Sequence, residues 1–174
     1  MKRILMYVLF ITLTLSCSVV LTEYAEAAIL QIVNQGPFFV TLSPAESSKP
    51  GYRKVSEQGG VVPLTLMNSD HKYNTIREFK IDFYAAYFAG DPSGGSVRVD
   101  FYSGNDIVAT ENFEILHRMN DPMKLKDNRA LQQYTAKIET ALTNKRITKI
   151  EMFVHPGYWA VYINNFKISM VFDE

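Results

Sequence analysis

The chain has 174 residues, in which 18 lysines and arginines balance 18 aspartates and glutamates for a formal net charge of zero. A neutral chain with no basic run lacks the phosphate-neutralising charge that dominates nucleic-acid affinity, and with no basic amphipathic helix it is no membrane-surface binder. Aromatic residues make up 13% of it and stand with β-branched residues in short runs, which favours strands over helices.

At the front, Lys2 and Arg3 precede an almost uncharged apolar run from Ile4 to Leu21. Ala25-Glu26-Ala27 then offers the small residues that a signal peptidase reads. By length the run could also remain as a membrane anchor, which needs about 20 residues. The position of the A-x-A site favours a signal peptide, Met1 to Ala27, cleaved to release a secreted chain, extracellular or periplasmic. Cys17 lies inside the apolar run behind Thr14-Leu15-Ser16, a poor lipoprotein box. The mature chain would then have no disulfide, no thiol nucleophile and no cysteine metal site. Residues 28–174 make one domain of ordinary size.

Ile29 to Val33 and Phe38 to Leu42 read as two short strands around the turn Asn34-Gln35-Gly36-Pro37. Ser43 to Gly60 is rich in Ser, Pro, Gly and charge, and reads as a long loop. Val61 to Met67 is a further strand, which Pro63 assigns to an edge or a bulge. Asn68 to Asn74 is polar and turn-like.

In the middle, Phe79, Ile81, Phe83 and Ala85 alternate with Lys80, Asp82, Tyr84 and Ala86. Beyond Gly90-Asp91-Pro92-Ser93-Gly94-Gly95, Val97, Val99 and Phe101 alternate with Arg98, Asp100 and Tyr102. Two alternating runs joined by a Gly-Pro-rich link predict an antiparallel hairpin with one wet face. Gly104-Asn105-Asp106 turns the chain into a strand from Ile107 to Leu116, whose shifting phase predicts a bulge.

Asn128 to Asn144 carries two patterns. Leu131, Tyr134, Ile138, Ala141 and Leu142 have helical spacing, yet Tyr134, Ala136 and Ile138 alternate with Thr135 and Lys137 as in a strand. The strand reading is preferred, paired with the strand that starts at Ile147, and a short helix around 128–143 is the alternative. Ile147 to Val154 is a strand, His155-Pro156-Gly157 a turn, and Tyr158 to Ile163 a third strand. Asn164-Asn165 breaks the chain before a last strand, in which Phe166, Ile168, Met170 and Phe172 fall on one side. The pattern predicts an all-β fold, an antiparallel β-sandwich.

This tail resembles the jelly-roll sandwiches of carbohydrate-binding modules and related lectin-like domains. The residues concerned are Tyr134 to Ile138, Asn144-Lys145-Arg146, Ile147 to Met152, Tyr158-Trp159 and Ile163-Asn164-Asn165-Phe166-Lys167-Ile168. Asn164 stands where that family often has aspartate. The resemblance implies a jelly-roll-like sandwich, a glycan or cell-wall polymer as partner, and a structural calcium held in polar loops.

The wet face of the middle hairpin is the first binding candidate. Paired across it, Tyr84 would lie opposite Asp100 and Asp82 opposite Tyr102, with Lys80 and Arg98 alongside. Carboxylates and arginine hydrogen-bond vicinal hydroxyls, and a tyrosine ring packs on the C–H face of a sugar. Plain cross-strand pairing on a solvated face accounts for the same residues. In the strand from Tyr158, the residues Tyr158 and Tyr162 face opposite to Trp159. Trp159, the only tryptophan, is the second binding candidate together with Tyr158 and Tyr162, since one of the two aromatic sets would face outward; a core position for Trp159, which is preferred, would leave the two tyrosines outside. Asn68, Asp70, Asp91 and Asp106 offer oxygens to calcium, although turn chemistry explains them equally well.

His71, His117 and His155 are scattered, and there is no H-E-x-x-H, no G-x-S-x-G and no Gly-rich phosphate loop. The expected function is non-catalytic binding of a glycan, with no cofactor. The alternatives are a jelly-roll enzyme acting on polysaccharide, with His71, His117 or Tyr84 as acid/base groups, and a protein-binding or inhibitory sandwich.

Overall fold

The computed structural model describes residues 27–42, 52–67, 73–88, 94–120, 128–157 and 159–173. The expected signal peptide lies outside them but for Ala27, as do residues 43–51, residues 68–72 and Tyr158; of the segment expected to turn from Asn68 to Asn74, Tyr73 and Asn74 are already strand.

Among the described residues, ten strands build two sheets. They are β1 (Ala28–Gln35), β2 (Phe38–Thr41), β3 (Tyr52–Lys54), β4 (Gly60–Pro63) and β5 (Tyr73–Phe88), then β6 (Gly95–Ser103), β7 (Asp106–Ile115), β8 (Gln132–Lys145), β9 (Lys149–His155) and β10 (Ala160–Asp173). The first sheet runs β3-β2-β10-β5-β8, with β1 also paired to β10; the second runs β4-β9-β6-β7. All pairs are antiparallel except β2 with β3. The protein is an all-β sandwich, as its short alternating runs predict.

Alternation decides what goes inside. Phe166, Ile168 and Met170 of β10 are fully buried, and so are Phe79, Phe83 and Ala85 of β5, Val97, Val99 and Phe101 of β6, and Met152 and Val154 of β9. Each of these side chains except that of Ala85 contributes about 1.5–3 kcal/mol by leaving water. Rings join the two layers. Phe79 stacks on Phe101 with centroids 4.1 Å apart, and Phe83 meets the edge of Phe113 at 4.9 Å.

Several sequence expectations change. The predicted hairpin of residues 79–86 with 97–102 does not form: β5 lies in the first sheet between β10 and β8, and β6 lies in the second between β9 and β7. The chain crosses from one layer to the other between them. The strand expected to pair with the segment starting at Ile147 is β8, but it pairs with β5, while β9 joins the second sheet. Residues 132–145 are strand, and the helical alternative shrinks to a single 3-10 turn, Asn128–Ala130. The loop predicted from Ser43 to Gly60 contains the short strand β3. Asn164-Asn165 does not end a strand. β10 is continuous, and its register against β5 slips between Asn164 and Lys167, with Asn165 at φ 50°. That slip puts Val161 and Ile163 on the same inner side as Phe166 and Ile168 despite the odd spacing. The strand expected from Val61 to Met67 is shorter, since β4 ends at Pro63, but it is an edge strand as expected, and β7 carries the expected irregularity, where Phe101 pairs with Ala109 but Tyr102 with Ile107.

Two inter-sheet crossings pass each other at one end of the sandwich. Gly94, ahead of β6, and Gly157, ahead of β10, both have positive φ, at 66° and 63°. A Cβ on Gly157 would strike the Gly94 carbonyl oxygen, so glycine is what lets the two backbones pass.

Candidate functional site

Because β5 and β6 belong to different layers, the residues expected on one wet face are divided between the two outer surfaces. Lys80, Asp82 and Tyr84 lie on the outside of the first sheet, and Arg98, Asp100 and Tyr102 on the outside of the second. Tyr84 is not opposite Asp100, nor Asp82 opposite Tyr102. The second aromatic group also changes. Trp159, expected inside, is 37% exposed, and Tyr162, expected outside, is only 7% exposed.

The reason for the second change is a smaller hydrophobic cluster on the outside of the first sheet. Phe39, Ala86, Phe88, Ala160 and Tyr162 project outward from β2, β5 and β10, and Met119 and Leu131 from the β7–β8 connection cover them. Phe39 lies 5.6 Å from Phe88 and 6.5 Å from Tyr162, ring centre to ring centre. The connection is pinned in place by backbone bonds. Tyr87 donates its N–H to the His117 carbonyl at 2.9 Å, and Met119 donates to the Tyr87 carbonyl at 3.0 Å. His117, a candidate acid/base group, has Nε2 3.0 Å from the Ala130 carbonyl oxygen and so ties down the same connection.

Trp159 stands at the rim of this cluster, edge-on to Phe88 at 6.1 Å and 88°. Tyr84 is half-buried against the cluster. Below it, the sheet presents polar rows. Tyr84 is flanked by Asn164 on β10 and Gln133 on β8, Asp82 by Lys167 and Thr135, and Lys80 by Ser169 and Lys137. Gln133 Nε2 donates to Asp82 Oδ1 at 2.9 Å, and Asn164 Nδ2 donates to Asn128 Oδ1 at 2.7 Å. Lys80 Nζ reaches Glu78 Oε1 on its own strand at 3.4 Å. Lys137, Lys167 and Thr135 stay exposed and make no side-chain contact of this kind.

The outer face of the second sheet is organised differently. Asp100 is 3% exposed although it points outward, because Thr110 Oγ1 donates to it at 2.8 Å and Arg98 Nε at 3.0 Å. Arg98 also lies 5.2 Å from the centre of the Phe153 ring. Tyr102 donates to Glu151 Oε2 at 2.8 Å, Lys149 Nζ is 3.2 Å from Glu151 Oε1, and the same ammonium sits 3.9 Å above the Tyr102 ring. The bond from Tyr102 holds the Glu151 carboxyl below its ordinary pKa, helped by Lys149 and opposed by burial. The same bond raises the Tyr102 phenol, with burial and the charges of Glu151 and Asp100 adding to it. A tyrosine held in its neutral form in this way is the reverse of an activated base.

His155, the third histidine of the sequence, accepts the Gly157 N–H at Nδ1 at 3.2 Å and closes the turn before β10. His71 and three of the calcium candidates, Asn68, Asp70 and Asp91, lie outside the described residues, and Asp106 is exposed at the start of β7. Among the described residues no three His, Cys, Asp or Glu side chains are grouped to hold a metal ion.

The sequence reading missed Gln133 as the hydrogen-bond partner of Asp82, Lys167 as its neighbour across the sheet, and Asn128 as the partner of Asn164. Gln133, Thr135 and Lys137 do alternate with Tyr134, Ala136 and Ile138, which is the signal that places them outside.

No family model and no curated protein matches the chain. Among solved structures it is similar to a family 29 carbohydrate-binding module from Piromyces equi, at 14% identity and a TM-score of 0.43, over 83% of this chain and 91% of that one. It is also similar to dimeric latent PorU from Porphyromonas gingivalis, at 11% identity and a TM-score of 0.43, over 84% of this chain and 13% of that one. At such identities and scores neither likeness bears on ligand or activity.

Proposed function

We propose that the protein is an exported binding module for a glycan or cell-wall polymer, and that the ligand lies on the outside of the first sheet. The observation that carries this reading is Trp159, left 37% exposed against Phe88 at one end of an outer aromatic cluster, with Tyr84 packed against the same cluster and continuing into the polar row of Asp82. An exposed ring fixed by a perpendicular aromatic contact offers apolar surface to the C–H side of a sugar and has less freedom to lose on binding. Asp82, Gln133 and Asn164 supply the acceptors and donors that fix hydroxyl groups in orientation. The second sheet is the weaker candidate, since its charged groups are engaged with one another.

Retention on a panel of insoluble polysaccharides tests the reading. Trp159→Ala and Tyr84→Ala are each expected to weaken the best interaction about tenfold, and Arg98→Ala to leave it unchanged. Retention indifferent to Trp159 and Tyr84, or lost with Arg98, would remove the proposal.

A further inference from the structure

Among the described residues, β8 is the longest open edge of the sandwich. Its 14 residues pair with β5 on one side and with no described strand on the other. Long open edges are usually guarded, because unpaired N–H and C=O groups invite another strand. The inner side of β8 is also incompletely covered: Tyr134, Ala136, Ile138 and Leu142 are only half-buried against the core.

The charges of β8 are matched poorly to its neighbour. Lys137 lies directly opposite Lys80, and Glu139 directly opposite Glu78, on β5. Like charges opposite each other destabilise a strand pair. The same order of residues matches a second copy of itself. In an antiparallel pair centred on Ile138, Lys137 of each strand faces Glu139 of the other on the outer side. On the inner side Ile138 meets Ile138, and Tyr134 meets Leu142.

We infer that the protein forms a symmetric dimer in which two β8 edges pair antiparallel about Ile138, joining the two first sheets into one. The Lys137–Glu139 pairs set the register, and the half-buried apolar residues lose their remaining contact with water. This is independent of the glycan reading, because the outward faces of β5 and β10 stay open.

Sedimentation velocity over a wide concentration series is expected to show a reversible dimer. Glu139→Lys turns both symmetric contacts into lysine pairs and is expected to raise the dimer dissociation constant at least about tenfold. Lys137→Glu is expected to do the same by creating glutamate pairs. Each single change also replaces a like-charge contact with β5 by an opposite one, so the monomer is expected to stay folded by circular dichroism. The double swap, Lys137→Glu with Glu139→Lys, is expected to restore the dimer. A wild-type chain that stays monomeric throughout, single variants that dimerise as well as wild type, or a double swap that stays monomeric would each overturn the inference.

Discussion

On the outer face of the second sheet, Arg98, Asp100, Thr110, Tyr102, Glu151 and Lys149 are bound to one another, whereas on the outer face of the first sheet Lys137, Lys167 and Thr135 have no such partners and a tryptophan stands at the rim. Both faces draw on similar residue types. What separates them is reach. On the second face, Asp100 pairs with Thr110 and Tyr102 lies close enough to Glu151 that each charge finds its partner one strand or one residue pair away. On the first, like charges meet across β5 and β8, and an aromatic cluster under the β7–β8 connection occupies one end. The second face is thus closed on itself by its own polar contacts, while the first, where the ligand is proposed to lie, keeps several polar side chains uncommitted.

The contrast is broken most forcefully at Phe88, which is 3% exposed and touches both Phe39 and Trp159. Phe88→Ala is expected to cost about 3 kcal/mol in urea unfolding and to weaken glycan retention by up to the roughly tenfold expected of Trp159→Ala, because Trp159 loses its support. A variant that is destabilised yet binds as before would mean that the outer cluster does not position the ligand.

On the second face the expected effect is smaller and purely structural. Asp100→Ala removes an almost fully buried carboxylate with two donors and is expected to cost about 1 kcal/mol, with retention unchanged. The cost stays modest because Arg98 and Thr110 are both exposed and recover water. A loss of binding in this variant would move the site to the second sheet.

The finest difference lies in pH. Glu151 is held below its ordinary value, so its contribution is complete above the value of an unfolded glutamate and is lost as pH falls through the lowered folded one. Tyr102 is raised, so its contribution is complete below the ordinary tyrosine value and is lost as pH rises through the folded one. Tyr102→Phe removes the first cause of both shifts. Carbon-detected titration of the Glu151 carboxyl is then expected to move upward toward the ordinary value, and the alkaline loss of stability to shrink. A Glu151 titration that does not move would show that Lys149, not the phenol, governs it.

Much of the fold could be read from local pattern. The alternation of Phe166, Ile168, Met170 and Phe172 survives folding unchanged because strand faces repeat every two residues whatever the partner. Pro63 at an edge and the irregularity of β7 were legible for the same reason, since each is a property of one strand. The candidate site was less legible. Lys80, Asp82 and Tyr84 were correctly placed outside, and so were Arg98 and Tyr102, but uniting them on one surface required knowing which strand lies beside which. Gly90 to Gly95 has the composition of a hairpin turn, and the same glycines serve equally well to carry a chain between layers.

The sequence by itself determined the class of structure and the inward residues of nearly every strand, because backbone pleating and the burial of apolar side chains act over a few residues at a time. Long-range packing alone separates β5 from β6, covers Tyr162 while leaving Trp159 exposed, and leaves the edge of β8 without a partner strand among the described residues. Those outcomes depend on pairings between residues far apart in the chain and on the connection that folds Met119 and Leu131 over the outer sheet, and no local periodicity records either.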